Sequence, residues 1–252
     1  MRTCVCRFLV KLAKSAGLPK HMLKWPIFDP GTPTIHVKFL GNVVVHKNQQ
    51  YIKMKLHPQE EALLIQIALK ASEPNKSIPL ADIYQSFFPK DRSPYRLLSN
   101  LVVLIKKKLL IPRHLFGLKE KIPHPALINR GVHLTTDYQE FEQMLAQAKA
   151  LENAGEWNYA RKEYLRAFKL FRGAPFKKMY DPWSEQMRRV ILNKLETEAT
   201  HFAGSCLEHK NKKDARKVLE KVLNPVRKNA LEIKSSMPPD LLSLVNKHDS
   251  SF

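Results

Sequence analysis

Cysteine is scarce: Cys4, Cys6 and Cys206 are the only three thiols in 252 residues. That excludes a disulfide framework and a four-ligand metal site. Cys4-x-Cys6 is tighter than the usual zinc spacing and lacks a second pair, so both are expected as free thiols of a reducing compartment. Ten histidines are scattered without HExxH spacing, and no metal or cofactor is expected. Long apolar runs are missing too, which excludes a transmembrane helix and any membrane partner of that kind. No GxxxxGK[ST] phosphate loop or GxSxG elbow occurs. Glu60 and Glu61 sit at a helix start as end charges. Asp181 and Glu185 lack a nearby histidine, and His133 and His201 are placed as core or solvated groups. Nothing joins a nucleophile, a base and oxyanion donors, so the chain is read as non-enzymatic.

Acidic residues are scarce in one half only. Residues 1–134 hold 22 Lys+Arg against 7 Asp+Glu, a net of +15, while residues 135–252 hold 21 against 16, a net of +5. The first half therefore has a polyanion-binding balance, and the second that of an ordinary domain. Hydrophobic content of 44% with 26% charged residues lies in the globular range, so each half can bury a core.

The first twenty residues are basic, acid-free and partly apolar. Arg7 and Lys11 interrupt the apolar stretch and no small-x-small site follows, so a basic leader is expected rather than a targeting peptide. Gly17 to Pro33 reads as a Pro/Gly-rich linker, with Trp25 and Phe28 available for packing. Short β segments follow at Ile35–Leu40, Val43–Val45 and Tyr51–Met54, separated by Gly41-Asn42 and Lys47-Asn48. They predict a small antiparallel sheet. Pro58 then opens a helix running to about Ala71, and Ala81 to Phe88 forms a second. Ser93 is an N-cap candidate with Pro94 just inside a third helix, Tyr95 to Leu109. Its strip Leu97, Leu101, Leu104 and Lys108 is read as facing the core, leaving Leu98, Val102 and Ile105 outward. A loop with Pro112, Pro123 and Pro125 leads to Ala126–Leu134, where a β segment returns after Gly131. Two helices joined by a turn, with a third beside a β-wing, predict a winged helix-turn-helix.

From Asp137 onward the pattern is helical, broken at Pro175 and Pro182. Ala148, Leu151, Gly155, Trp157, Ala160, Tyr164 and Ala167 fit tetratricopeptide spacing. Ala199, Ala203, Cys206, Ala215, Leu219 and Val222 form a fainter copy. Gly173 to Arg189 is expected as an insertion, with Trp183 as a packing anchor.

In order and spacing these parts resemble the bacterial transcriptional activators typified by actinomycete antibiotic regulatory proteins. The matching series is Phe39-Leu40-Gly41, Leu63-Leu64, Ile78 to Tyr84, Arg130 to Leu134, Asp137 and Phe141, Gly155 to Leu170, Arg172-Gly173 and Asn224-Pro225. The resemblance implies an OmpR-type winged helix joined to a tetratricopeptide-like activator domain, working in sequence-specific transcription control. The chain departs from that pattern at the third helix, which is less polar, and at Val132, where the wing motif usually has an aromatic. The family's activator domain generally continues with a further helical pair. Here Phe252 follows Pro238-Pro239 and a short apolar helix, so the effector domain is expected to be abbreviated or part of a longer chain.

The expected fold is α+β: a winged helix-turn-helix with a small antiparallel sheet, then an all-α tetratricopeptide-like repeat domain. The expected divisions are 1–34 (leader and linker), 35–136 (DNA-binding) and 137–252 (activator-like). Arg96, Ser99 and Asn100 are expected near bases, Val103 being a further candidate, and Lys106, Lys107, Lys108 and Arg130 near phosphates. Double-stranded DNA is the expected partner. RNA polymerase or other proteins are expected through residues 137–252, and homodimer formation is open, since no heptad seam marks it. A cytoplasmic location follows. The alternative is a scaffold with a degenerate winged helix, docking through Leu98, Val102 and Ile105. RNA or ribosome association through the basic half is a third reading.

Overall fold

The computed structural model describes residues 32–53, 55–119 and 124–227. The leader with Cys4 and Cys6, the linker's Trp25 and Phe28, and the helix after Pro238-Pro239 lie outside the described residues. The chain forms two compact units. One takes in the residues up to Val37 and Val44–Thr136; the other takes in Lys38–Val43 and the residues from Asp137 on.

In the first unit, β1 (Thr34–Lys38), β2 (Val44–Lys47) and β3 (Gln50–Tyr51) precede α1 (Pro58–Lys70). After α1 come β4 (Ser77–Pro79), α2 (Leu80–Phe87) and α3 (Pro94–Lys108). A single 3-10 turn, Arg113–Leu115, leads into β5 (Phe116–Lys119), β6 (Ala126–Asn129) and β7 (His133–Thr136).

The small antiparallel sheet expected at the front is corrected to a mixed one. Its order is β3-β2-β1-β7, and β1 pairs in parallel with β7, Thr34 opposite His133 and Val37 opposite Thr136. Apolar alternation marks a strand but not its partner, so a pairing nearly a hundred residues away was invisible locally. A second sheet, β4-β6-β5, is wholly antiparallel. The expected return after Gly131 is corrected as well. The hairpin is β5–β6, built partly from residues read as loop, whereas β7 beyond the glycine joins the other sheet. Prolines at 112, 123 and 125 masked β5, which has only four residues.

α1 starts as its sequence demands. Pro58 occupies the first turn, and Glu60 reaches back to accept from the His57 backbone N–H at 2.7 Å. Residues Ala62 to Ala68 are all buried, so this helix is the centre of the unit's core.

The second unit contains α4 (Asp137–Asn153), α5 (Trp157–Leu170), α6 (Pro182–Glu208) and α7 (Lys212–Arg227). They form two helical hairpins, α4 with α5 and α6 with α7. The alanines of both repeat copies and Cys206 are buried, Ala148, Ala160 and Ala167 in the first and Ala199, Ala203, Cys206 and Ala215 in the second, while Gly155 is exposed between α4 and α5. The insertion expected over Gly173 to Arg189 shortens to the stretch before Pro182. That proline starts a 27-residue helix instead of breaking one, and Asp181 caps it by accepting from Ser184 N at 2.9 Å. Trp183 does pack, edge-to-face on Phe176 at 5.6 Å.

Lys38–Val43 is clasped within this second unit. The Asp137 carboxylate accepts from Phe39 N at 2.8 Å and Leu40 N at 3.1 Å, and pairs with Arg172 at 2.9 Å. Arg172 N donates to Leu40 O at 2.7 Å. Gly41 (φ +138°) lies so close that an added Cβ would stand 3.0 Å from the Arg172 Cβ. Phe39-Leu40-Gly41 and Arg172-Gly173, noticed separately in the sequence, thus meet around one buried carboxylate. Burial pushes the Asp137 carboxyl above its usual range; the two amides and Arg172 pull it back.

Candidate nucleic-acid interface

The exposed side of α3 is the reverse of the one expected. Leu98, Val102 and Ile105 are buried, while Leu97 is 37% and Leu104 41% exposed. Two apolar strips run side by side on this helix, and periodicity alone does not choose between them. Continuation does. The strip through Leu98, Val102 and Ile105 reaches Leu109, which is also buried, whereas the strip through Leu97, Leu101 and Leu104 ends in Lys108. The docking strip that motivated the scaffold alternative is therefore core.

With that face inward, Arg96, Asn100, Val103 and Lys107 share one exposed ridge at spacings of four, three and four residues. Ser99 is half-buried beside it. α3 contains no acidic residue. Its first turn begins at Pro94, and its end is fixed by Lys47, whose ammonium donates to Leu109 O at 3.2 Å and Leu110 O at 2.7 Å.

The three consecutive lysines at the end of α3 separate by direction. Lys107 is exposed on the ridge. Lys106 turns toward the hairpin and donates to Phe116 O at 3.0 Å. Lys108 turns into the unit, donating to Lys55 O and pairing with the buried Glu60 at 2.5 Å. A helix advances about 100° per residue, so three neighbours cannot share a face. Lys108 thus holds α3 against the start of α1 rather than facing solvent.

Arg130 is exposed just past β6, at the foot of the hairpin rather than on a strand beyond it. Its position is built by Asn129. That buried amide donates to Ala71 O and Val132 O, both at 2.7 Å, and accepts from Val132 N at 2.9 Å. Arg130 N donates to Leu115 O at 2.8 Å. Arg113, overlooked in the sequence because it follows Pro112 in an apparent loop, lies two residues before Leu115 in the 3-10 turn. Lys106 registers both arginines: burial first, then the charges of Arg113 and Arg130, lower its pKa.

The helical unit has a different polar organisation. Glu152 accepts from Tyr164 Oη at 2.7 Å, His201 Nε2 at 2.9 Å and Ser205 Oγ at 2.5 Å, linking three helices. Cys206 is buried, and burial with nearby Asp214 pushes its thiol up to about 12, away from nucleophile chemistry. Among the described residues no group of His, Cys, Asp or Glu is arranged to hold a metal, and no helix is long and apolar enough to cross a membrane.

Residues 136–230 match the family model of the bacterial transcriptional activator domain, bearing out the resemblance to these activators. Among solved structures it is similar to Mycobacterium tuberculosis EmbR in complex with a low-affinity phosphopeptide. That alignment covers 84% of this chain with TM-score 0.52 and 13% identity. It is a likeness of fold. The chain spans 64% of the length of that protein, less than two thirds. No curated protein sequence matches the chain.

Proposed function

We propose that this protein is a DNA-binding transcriptional regulator. In this reading its first unit is a winged helix that lays α3 in the major groove, and its helical unit contacts other proteins. One observation carries it: an exposed, acid-free ridge of Arg96, Asn100, Val103 and Lys107 on a helix beside a two-stranded hairpin, in the half with a net charge of +15. The chemistry suits base edges. Arg pairs with guanine, Asn with adenine, and an apolar side chain touches the thymine methyl. Lys107, at the far end of the ridge, reaches phosphate, and Ser99 supports from the flank. The order α1, β4, α2, α3, β5–β6 with sheet order β4-β6-β5 supports the winged-helix reading. The activator-domain match supports transcription as the setting, with RNA polymerase or another protein meeting residues 137–252, and the cytoplasm as the place. The likeness to EmbR supports the two-part architecture.

The test is a titration of the full chain with fluorescent genomic duplex fragments, and with RNA of matched length, over a range of salt. Duplex binding that weakens with salt is expected, with Arg96→Glu/Lys107→Glu weakening it at least tenfold, the scale of charged phosphate and bidentate base contacts. Equal affinity of wild type and double variant for duplex would refute the assignment. Preference for RNA over duplex would move the function to RNA. Loss of both, with protein partners retained on residues 137–252, would return the scaffold reading.

A further inference from the structure

The foot of the β5–β6 hairpin gathers three cations that no carboxylate among the described residues neutralises. The backbone that carries them is fixed by hydrogen bonds. The 3-10 turn carries Arg113 two residues before Leu115, and Leu115 N donates to Pro112 O at 3.1 Å. Leu115 O accepts from Arg130 N at 2.8 Å. The next carbonyl, Phe116 O, accepts from Lys106 Nζ at 3.0 Å. The end of α3, the 3-10 turn and the end of β6 are thus tied to two adjacent peptide units. Gly131 packs against the same turn: an added Cβ would stand 2.8 Å from Leu115 Cδ2, and the leucine side chain would have to move aside. None of the three cations forms an ion pair with a carboxylate among the described residues. The mutual repulsion is felt, since Arg113 and Arg130 both lower the Lys106 pKa, after burial. Like charges whose backbones are held together are stabilised by an anion placed among them.

We infer that Lys106, Arg113 and Arg130 form a seat for a single phosphate group, and that its occupant is one backbone phosphate of the bound duplex. The occupant rests on the DNA-binding reading above; the seat itself does not. Two guanidinium forks and an ammonium match the several oxygens of a phosphate, where a planar carboxylate would leave donors unused. Lys106 keeps two N–H donors free beyond its bond to Phe116 O. Lys107 on the ridge and Lys106 toward the hairpin are neighbours about 100° apart around α3. A duplex meeting the ridge in its groove therefore brings one flanking strand to the seat.

The test compares the full-length protein with Arg113→Ala, Arg130→Ala and the charge-keeping Arg113→Lys, all checked for folding by circular dichroism. Against a duplex that wild type binds, the salt slope should fall by about 0.9, one phosphate's worth, in either alanine variant. Affinity should fall about tenfold with base preference unchanged, and Arg113→Lys should recover the slope. A neutral methylphosphonate at one backbone position should weaken wild type and leave Arg113→Ala unaffected. If wild type binds duplex and both alanine variants keep its full slope, the seat is overturned. If wild type binds no duplex, the DNA reading fails, and inorganic phosphate decides the seat alone. A phosphate-dependent rise of the Lys106 pKa by NMR, absent in Arg113→Ala, sustains it as a free-phosphate site; no rise overturns it.

Discussion

The two units differ in how many of their cations they pair. In the helical unit six basic side chains are matched internally: Lys149 with Glu198, Arg161 with Asp214, Arg166 with Glu163, Arg172 with Asp137, Lys194 with Glu142 and Arg216 with Glu220. Among the described residues of the first unit only Lys70 with Asp82 and Lys108 with Glu60 are so matched. Arg96, Lys107, Arg113 and Arg130 have no carboxylate partner among the described residues. The net charges of +5 and +15 are the sequence-level shadow of this difference. Where carboxylates are available, charge fastens helices together; where they are scarce, cations stay exposed, which is what the proposed function needs.

The comparison breaks first at Asp137. If charge in the helical unit is structural, Asp137→Ala should cost it about 3 kcal/mol, because two backbone amides and Arg172 lose their acceptor at a site that is 1% exposed. Urea unfolding of the full chain, followed by Trp fluorescence and by circular dichroism, measures it. A loss under 1 kcal/mol would mean that the clasp is decorative. Gly41→Ala tests the same clasp from the other side, at roughly 2 kcal/mol, since φ +138° and the Arg172 Cβ both oppose a side chain. An alanine variant as stable as wild type would show that Lys38–Val43 is not held by this unit.

Glu152 sharpens the contrast through pH. Burial pushes its carboxyl up, but hydrogen bonds from Ser205, Tyr164 and His201, with the His201 charge, outweigh it and hold the carboxyl below its ordinary 4.5. A depressed folded-state pKa means stability that is present above about pH 4.5 and lost as pH falls through the folded value. Glu152→Gln should therefore be less stable than wild type by about 1.5 kcal/mol at neutral pH. The gap should close as the solution is acidified below 4.5. A gap that is constant from pH 7 to 3 would assign the effect to packing instead of charge.

Legibility followed the same division. The helical unit was readable because its information is local: small residues at fixed spacing within a hairpin, the alanines buried and Gly155 exposed in the turn between helices. Even there Pro182 was misread as a break, since a first-turn proline and a helix-ending one look alike until the Asp181 cap is noticed. In the first unit the helices were found, but the inward side of α3 was inverted. The deciding signal, Leu109 extending one strip while Lys108 ends the other, was present and unused. The partners of β1 and the hairpin arm β5 needed long-range pairing that no window contains. Of the expected contact residues, Arg96, Asn100 and Lys107 lie on the exposed ridge with Ser99 at its flank. Lys106 and Arg130 fall beside the hairpin, and Lys108 is tied to Glu60. Arg113 was missed because a lone basic residue in a loop carries no pattern until folding gives it neighbours.

The smallest expected stability effect is the most telling one. Arg96→Ala and Lys107→Ala remove exposed side chains that bond to nothing else among the described residues, so each should shift unfolding free energy by no more than about 0.5 kcal/mol. On the proposed function, Lys107→Ala should lower the salt slope of duplex binding by about 0.9, whereas Arg96→Ala should chiefly relax sequence preference. Lys149→Ala in the helical unit serves as the control, since its partner Glu198 is 10% exposed and its charge is already spent. It should cost up to about 1 kcal/mol of stability, the scale of a partly exposed ion pair, and leave the slope alone. If Lys149→Ala changed the slope as much as Lys107→Ala does, the basic excess would act as a diffuse field over the whole chain. Equal stability losses in all three variants would instead mean that the ridge cations have structural partners after all.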